Sequence, residues 1–542
     1  VTVKYFTLQT DWAQGIGSAH CITSAVLAAK QRRCIRVTVS LPKVCATLTS
    51  APNAVRVHLW HGYRREMRVP VVHRNTSKLG ARAARTGTRN PQRGNNVKIV
   101  RTLLAPALLA LAAPAAHAQA PLDSVAALAT FDSAWSNIRN THFDTTYNGT
   151  DWQRVRAELR PRAAAARSNP QLRAVLGEML GRLRQSHFYL IPGEVESDLA
   201  SKKTVEAAGD GEAGMELRLV DGRFLVTRVR PGGAAAAAGV RTGWIVEELG
   251  GTRASRVLAT LARLPATTDP RERELRGWGA MAHELTGPAG TVVPARFLDA
   301  RDRPVAARMV LRPASGVMTK FGNLPPMRVF SEHERVAGPG GASVGVIRFN
   351  YWMPAVAAGI DSSVHALRGS DGIIVDMRGN FGGVGAMAMG VAGHFTERMD
   401  TIGTMITRTT RLQFVANPRR STRAGEAVRP FAGPVAILTD ALSISTAEIF
   451  AGGLQKLGRA RVFGTPSAGQ ALPALATRLP NGDVMMHAFA DFHGPGGYRL
   501  EGPGVVPDVA APLTRAALLA GRDPALDAAV RWIAEQKAGG SR

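Results

Sequence analysis

Cysteine is nearly missing from this 542-residue sequence: Cys21, Cys34 and Cys45 are the only three. Everything after residue 45 therefore folds without a disulfide and without a cysteine-ligated metal. Aromatic residues amount to 6%, and no stripe interleaves them with basic residues, which argues against a surface that stacks nucleobases. The sequence has no HExxH zinc motif and no G-x-x-x-x-G-K-[ST] phosphate loop, and no G-x-G-x-x-G follows a strand-like run. Neither metal-assisted hydrolysis nor nucleotide chemistry has its usual carrier. His487 and His493 flank Asp491, but Ala488-Phe489-Ala490 between them reads as strand. No metal and no cofactor are expected.

What is present is globular: 45% hydrophobic and 20% charged residues, at a length that fits three to four domains. The formal net charge of +27 is unevenly spread. Residues 1–96 hold 16 of the 68 Lys and Arg but only two acidic residues, Asp11 and Glu66. Nucleic acid is accordingly not expected as a partner. Directly after this stretch comes VKIVRTLLAPALLALAAPAAHAQA. Lys98 and Arg101 make a positive n-region, Leu103–Ala113 a short apolar run, and Ala116-His117-Ala118 an A-x-A cleavage site. Residues 97–118 thus read as a secretory signal peptide, and the protein as exported, periplasmic or extracellular, with no membrane span after cleavage. Residues 1–96 are then expected to be a non-native or unstructured upstream extension, with Val1 and Val97 as alternative starts.

Residues 119–196 read as helical, with Val125, Leu128, Phe131, Trp135 and Ile138 forming an amphipathic stripe. A second such run, Leu172–Leu183, ends at Gln185-Ser186-His187-Phe188. Residues 197–212 read as a polar linker. From Gly214 the pattern changes to short strands: Met215–Leu219 and Phe224–Val229 alternate around an Asp221-Gly222 hairpin turn. This stretch, residues 213–312 with "GAAAAAGVRTGWIVEELGG", resembles a PDZ domain of the circularly permuted type found in bacterial proteases. The resemblance implies that the loop Gly214-Met215-Glu216-Leu217 binds the C-terminal carboxylate of a peptide. Residues 325–512 alternate strands and helices, an α/β pattern, and 513–542 end in a helical segment.

Two strand-to-turn junctions carry chemistry. Asp376-Met377-Arg378-Gly379-Asn380-Phe381-Gly382-Gly383 follows a buried strand and can present bare N–H groups to a developing oxyanion. Leu438-Thr439-Asp440-Ala441-Leu442-Ser443-Ile444-Ser445-Thr446 sets hydroxyls at the start of a helix. There a nucleophile gains from the helix dipole, although the same residues also suit ordinary helix capping. Together, "DMRGNFGG", "LTDALSISTAEIFAGGLQ" and "GTPSAG" resemble, in that order, the C-terminal processing protease superfamily, which includes tail-specific proteases, the tricorn core and retinoid-binding-protein-like repeats. The resemblance covers roughly residues 120–512 and implies a ClpP/crotonase-like spiral in the core, with Ser445 as nucleophile.

A serine hydroxyl needs a base. Tail-specific proteases place a lysine twenty-five residues after the serine, where this chain has Gln470. Its only lysines beyond Ser445 are Lys456, on the same helix, and Lys537. The tricorn-like branch instead uses a histidine in L-x-x-S-H, matched here by Leu183-Arg184-Gln185-Ser186-His187. It also uses a glutamate in E-x-x-G-V-x-P-D, matched by Glu501-Gly502-Pro503-Gly504-Val505-Val506-Pro507-Asp508. The resemblance implies that His187 is the general base, that Ser186 and Glu501 orient it, and that the amides of Gly382 or Gly383 and of Thr446 form the oxyanion hole. The expected function is a serine endopeptidase acting on protein or peptide substrates. A catalytically inactive peptide- or lipid-binding relative is the alternative.

Overall fold

The computed structural model describes residues 122–194 and 210–540, together with the backbone of three strands between residues 36 and 60. The chain divides into two units, Val1–Leu111 and Ala112–Arg542. In the first, Arg36–Leu41, Val44–Ala51 and Ala54–Trp60 form an antiparallel meander. The sequence shows no sustained strand period there. The signal-peptide segment 97–118 lies outside the described residues.

The second unit opens with three helices, Ser124–Thr141, Trp152–Ala164 and Asn169–Gly181. Asp123 and Asp151 cap the first two, each carboxylate accepting an amide one turn on. Phe131, Trp135 and Ile138 of the expected stripe are buried, whereas Val125 is exposed because the first turn has no partner to cover it. The helical segment does not run to residue 196. It gives way to a short strand, Tyr189–Ile191, which pairs antiparallel with Val484–Ala488. Arg173 adds a bidentate ion pair to the buried Asp483, so the helices dock onto the distant hairpin. Leu479 and Met485 of that hairpin join the helical core.

Next comes a β-rich unit. Asp210–Glu212, the end of the expected linker, is a strand paired with Thr286–Pro288. Met215–Val220 and Arg223–Val229 form the expected hairpin, with Asp221 and Gly222 both at positive φ as a two-residue turn requires. Beyond this hairpin lie Ile245–Leu249, Val292–Leu298 and Pro304–Val310 in that order, so Pro304–Val310 forms one edge of the sheet and Met215–Val220 the other. The helix Pro270–Ala282, capped by Asp269 and begun by proline, packs beside that edge strand.

The third part is a six-stranded sheet. Its spatial order is Ser331–Gly338, Ala342–Phe349, Gly372–Asp376, Val435–Thr439, Arg461–Gly464 and Val509–Ala510, parallel except for the first pair. Gly372–Asp376 and Val435–Thr439 are buried throughout, as central parallel strands covered on both faces must be. Helices Pro354–Ala366, Ala386–Ala392 and Thr446–Lys456 pack on one face around Trp352, Phe395 and Phe450. Pro524–Gly540 covers the other through Ala529 and Ile533. No helix among the described residues is long and apolar enough to cross a membrane.

Candidate active site

The two central strands end side by side, so the turns that follow them meet. Buried Asn380 ties them: its side-chain amide donates to Phe349 O at 2.8 Å, and its carbonyl accepts from Ile444 N at 2.9 Å. Ser443 adds a second tie, donating to Met377 O at 2.8 Å. From Val435 to Leu454 every residue is buried except Ser445. Ser445 stands at the start of the helix with φ 60° and ψ −117°, a conformation that side chains avoid.

Glycine is required opposite it. Gly382 has φ +77°, and a Cβ there would lie 2.7 Å from Ser445 Cβ and 2.9 Å from Thr446 N. The expected choice between Gly382 and Gly383 as oxyanion donor is narrowed by the geometry. The Gly382 N–H donates to Asn380 Oδ1 at 3.0 Å and is already committed. The N–H groups of Gly383 and Thr446 make no hydrogen bond among the described residues. The Thr446 hydroxyl holds the two turns together by donating to Gly383 O at 2.9 Å.

Ser186, His187 and Glu501 come together although up to 315 positions separate them in sequence. Glu501 accepts from the Ser186 N–H and from the Ser186 hydroxyl, both at 2.9 Å. The Ser186 oxygen is 2.8 Å from His187 Nδ1. A hydroxyl has one proton; given to the carboxylate, it leaves the oxygen to accept from Nδ1–H. The tautomer follows from the network, and Nε2 is left as the proton acceptor. Burial holds the His187 imidazole down to about 4, so it is neutral through the physiological range. Burial pushes the Glu501 carboxyl up, against the hydrogen bonds from Ser186.

One peptide unit links this relay to Ser445. The carbonyl of Gln470 accepts from Ser445 N at 2.9 Å, and the N–H of the same unit, on Ala471, donates to Glu501 Oε2 at 3.0 Å. The position occupied by lysine in tail-specific proteases thus contributes its backbone here. Ser445 Oγ and His187 Nε2 make no hydrogen bond to each other. Lys456 points elsewhere, with its ammonium 4.6 Å from the Tyr498 ring.

The remaining sequence candidates sit apart from this site. His487 is buried with its ring nitrogens on the hydroxyls of Thr141 and Thr477, while His493 pairs with Asp491, which also holds Arg499. Among the described residues no group of His, Cys, Asp and Glu is arranged to hold a metal. Gly214 enters the edge strand at φ +67°. Met215 and Leu217 are buried, and the Glu216 carboxylate accepts from Arg348 at 2.7 Å.

Sequence reasoning missed three contributors. Glu448, one turn into the helix that Ser445 begins, is fully buried; the pattern Ser445-x-x-Glu448 is a capping-box signature that flags it. Arg271, on the Pro270–Ala282 helix, donates to Ser467 O, Gly502 O and Pro503 O. Trp278, on the same helix, packs on Phe381 of the glycine turn with ring centroids 4.7 Å apart. Neither Arg271 nor Trp278 has a local signature.

Known proteins share this arrangement of segments. Residues 343–511 match the family model of peptidase family S41, and residues 128–181 that of the tricorn protease C1 domain. Tricorn protease homolog 2 of Streptomyces coelicolor is 27% identical over 438 residues, which is 75% of this chain and 32% of the relative. The chain therefore spans about a third of that relative's length. Chloroplastic carboxyl-terminal-processing peptidase 3 of Arabidopsis thaliana is 24% identical over 392 residues, 70% of this chain and 68% of the relative. Among solved structures, the photosystem II D1 C-terminal processing protease superposes with a TM-score of 0.47 at 19% identity, covering 72% of this chain and 94% of that one. The chain thus carries a stretch that matches peptidase family S41, preceded by one that matches the tricorn protease C1 domain.

Proposed function

We propose that the protein is an exported serine endopeptidase that hydrolyses peptide bonds through an acyl-enzyme. Ser445 Oγ attacks the substrate carbonyl while His187 Nε2 takes its proton. Ser186 and ionised Glu501 keep the imidazole in the Nδ1–H form and stabilise the imidazolium. The N–H groups of Gly383 and Thr446 receive the tetrahedral oxyanion. His187 then gives the proton to the leaving amine, and water releases the acyl group by the same route reversed. The observation that carries this reading is the unbroken hydrogen-bonded path from Glu501 through Ser186 to His187, joined to Ser445 by the Gln470–Ala471 peptide. The core follows a ClpP/crotonase-like spiral in this reading. Residues 213–312 are a PDZ-like unit whose edge strand Met215–Val220, beside the Pro270–Ala282 helix, accepts a peptide terminus by strand addition. Residues 97–118 direct export to the periplasm or outside the cell.

A second reading is favoured by the missing Ser445–His187 hydrogen bond: a binding protein that has kept the frame but not the chemistry. Labelling with a fluorophosphonate probe separates the two. The peptidase reading expects a single adduct at Ser445, absent from S445A and slowed by about 10²–10⁴-fold in H187A. Folded wild-type protein that takes no label, with H187A indistinguishable from it, would make the chain a binder.

A further inference from the structure

Glu448 plays no part in the relay above, yet it gathers four hydrogen-bond donors, one more than Glu501. Its Oε1 accepts from the Ser467 hydroxyl at 2.6 Å and from Gly469 N at 2.7 Å. Its Oε2 accepts from Ser445 N at 2.9 Å and from Gln470 N at 3.0 Å. Three of the four donors belong to the loop Ser467–Gln470, and the fourth is the amide of the nucleophile. The same loop supplies the peptide that reaches Glu501.

We propose that Glu448, as a carboxylate, is a positioning residue that clamps the Ser467–Gln470 loop onto the nucleophile turn and so holds Ser445 in register with Glu501, Ser186 and His187. This rests on Ser445 being the nucleophile. Only an ionised carboxylate offers two oxygens that each accept two donors. Glutamine would turn an NH₂ group toward two of those donors, and aspartate is one methylene short.

The charged and titratable groups around Glu448 come from every neighbouring element. The Arg271 guanidinium reaches in from the Pro270–Ala282 helix and donates to Ser467 O at 2.8 Å. The Tyr498 phenol donates to Gly504 O at 2.6 Å, with the Lys456 ammonium over its ring. Glu501 lies beyond the Gln470–Ala471 peptide. Burial outweighs the four donors and pushes the Glu448 carboxyl up to about 7. The clamp is the ionised form, so it holds above that pH and releases below it. His187 is neutral down to about 4, so release of the clamp predicts an acid limb of activity near pH 7.

The test compares the full-length chain with E448Q between pH 5 and 9. Two readouts are used: the rate of fluorophosphonate labelling at Ser445, and amide exchange of residues 467–471 corrected for intrinsic rates. For wild type, labelling and loop protection both fall as pH drops through about 7. For folded E448Q, labelling at pH 8 drops by about 10²-fold, as expected when a nucleophile is misplaced by an ångström. KM for a peptide substrate stays within about twofold, and the limb near pH 7 vanishes. A wild-type limb near 7 persisting in E448Q, or loop protection that is flat across the range in wild type, overturns the proposal. The wild-type measurement decides it even where E448Q does not fold. Protection that changes near pH 7 in a protein that never labels supports the clamp and sinks the nucleophile reading instead.

Discussion

Ser445 and His187 share an unusual backbone state. Seven non-glycine residues among those described have positive φ, and these two are at 60° and 62°. Each such residue stores strain of order 1–3 kcal/mol that surrounding bonds must hold. For Ser445 those bonds run to Gln470 O and Glu448. His187 adds a pH signature. Its imidazole titrates at about 4 in the fold and about 6.5 in an unfolded chain. Between those values the unfolded chain binds more protons, so its contribution to stability is full above pH 6.5 and is lost as pH falls toward 4. In H187Q the loss of unfolding free energy between pH 8 and pH 5 should shrink by about 2 kcal/mol. Urea titrations at both pH values measure it, and an equal loss in the two proteins would contradict the assignment. The four polar candidates were readable from sequence because a hydroxyl, an imidazole and a carboxylate at family spacings name their own chemistry. Glu448 offers only its capping-box spacing, which does not reveal its burial, because a glutamate at the third position of a helix normally faces solvent. Only the loop at 467–470, brought in by the tertiary fold, buries it.

The glycine turn and the Ser445 helix pack as a pair. G382A places a methyl against Ser445 Cβ and forces φ +77° on a residue with a side chain. With that methyl also 2.9 Å from the proposed donor Thr446 N, we expect labelling of Ser445 to fall by about 10²–10³-fold, the cost of displacing an oxyanion donor, with the far-ultraviolet circular dichroism unchanged. Retention of most of the labelling rate would mean that the turn does not shape the site. The strands feeding these turns, Gly372–Asp376 and Val435–Thr439, are short apolar runs between turn residues, a length that favours strand over helix. Two neighbouring elements were illegible for opposite reasons. Pro270–Ala282 is rich in charged residues and carries two glycines, so its contacts rather than its pattern make it a helix. Tyr189–Ile191 is three residues long, and its pairing is decided by a partner almost 300 positions away.

Across the whole molecule, buried charge binds the β-rich unit to the core. Arg218, on the edge strand, donates to Asp440 at 2.7 Å, and Asp440 also accepts from the amides of Gly379 and Leu442 in the two active-site turns. Behind them lies a cavity of about 340 Å³ lined by Arg218, Arg348, Arg378, Asp376, Asp440 and Asp523; Ser445 does not line it. R218M leaves the buried Asp440 carboxylate without its cation and should destabilise the protein by about 3–5 kcal/mol. A double variant that also removes the charge, D440N, should recover part of that loss in urea unfolding. If R218M unfolds like wild type, the pair is not holding the units together. The separate hydrophobic cores were foreseeable from the change of period along the chain, whereas this polar seam depends on residues whose partners lie more than 200 positions apart.

The distance between Ser186 and Glu501 also orders events in time. A ribosome adding roughly 5–20 residues per second takes about 15–60 s to pass from one to the other. Throughout that interval a nascent chain already displays its histidine but lacks the glutamate that fixes its tautomer. On the proposed reading, a copy stopped before Glu501 lacks that carboxylate and so has no means of cutting the chains around it, or itself.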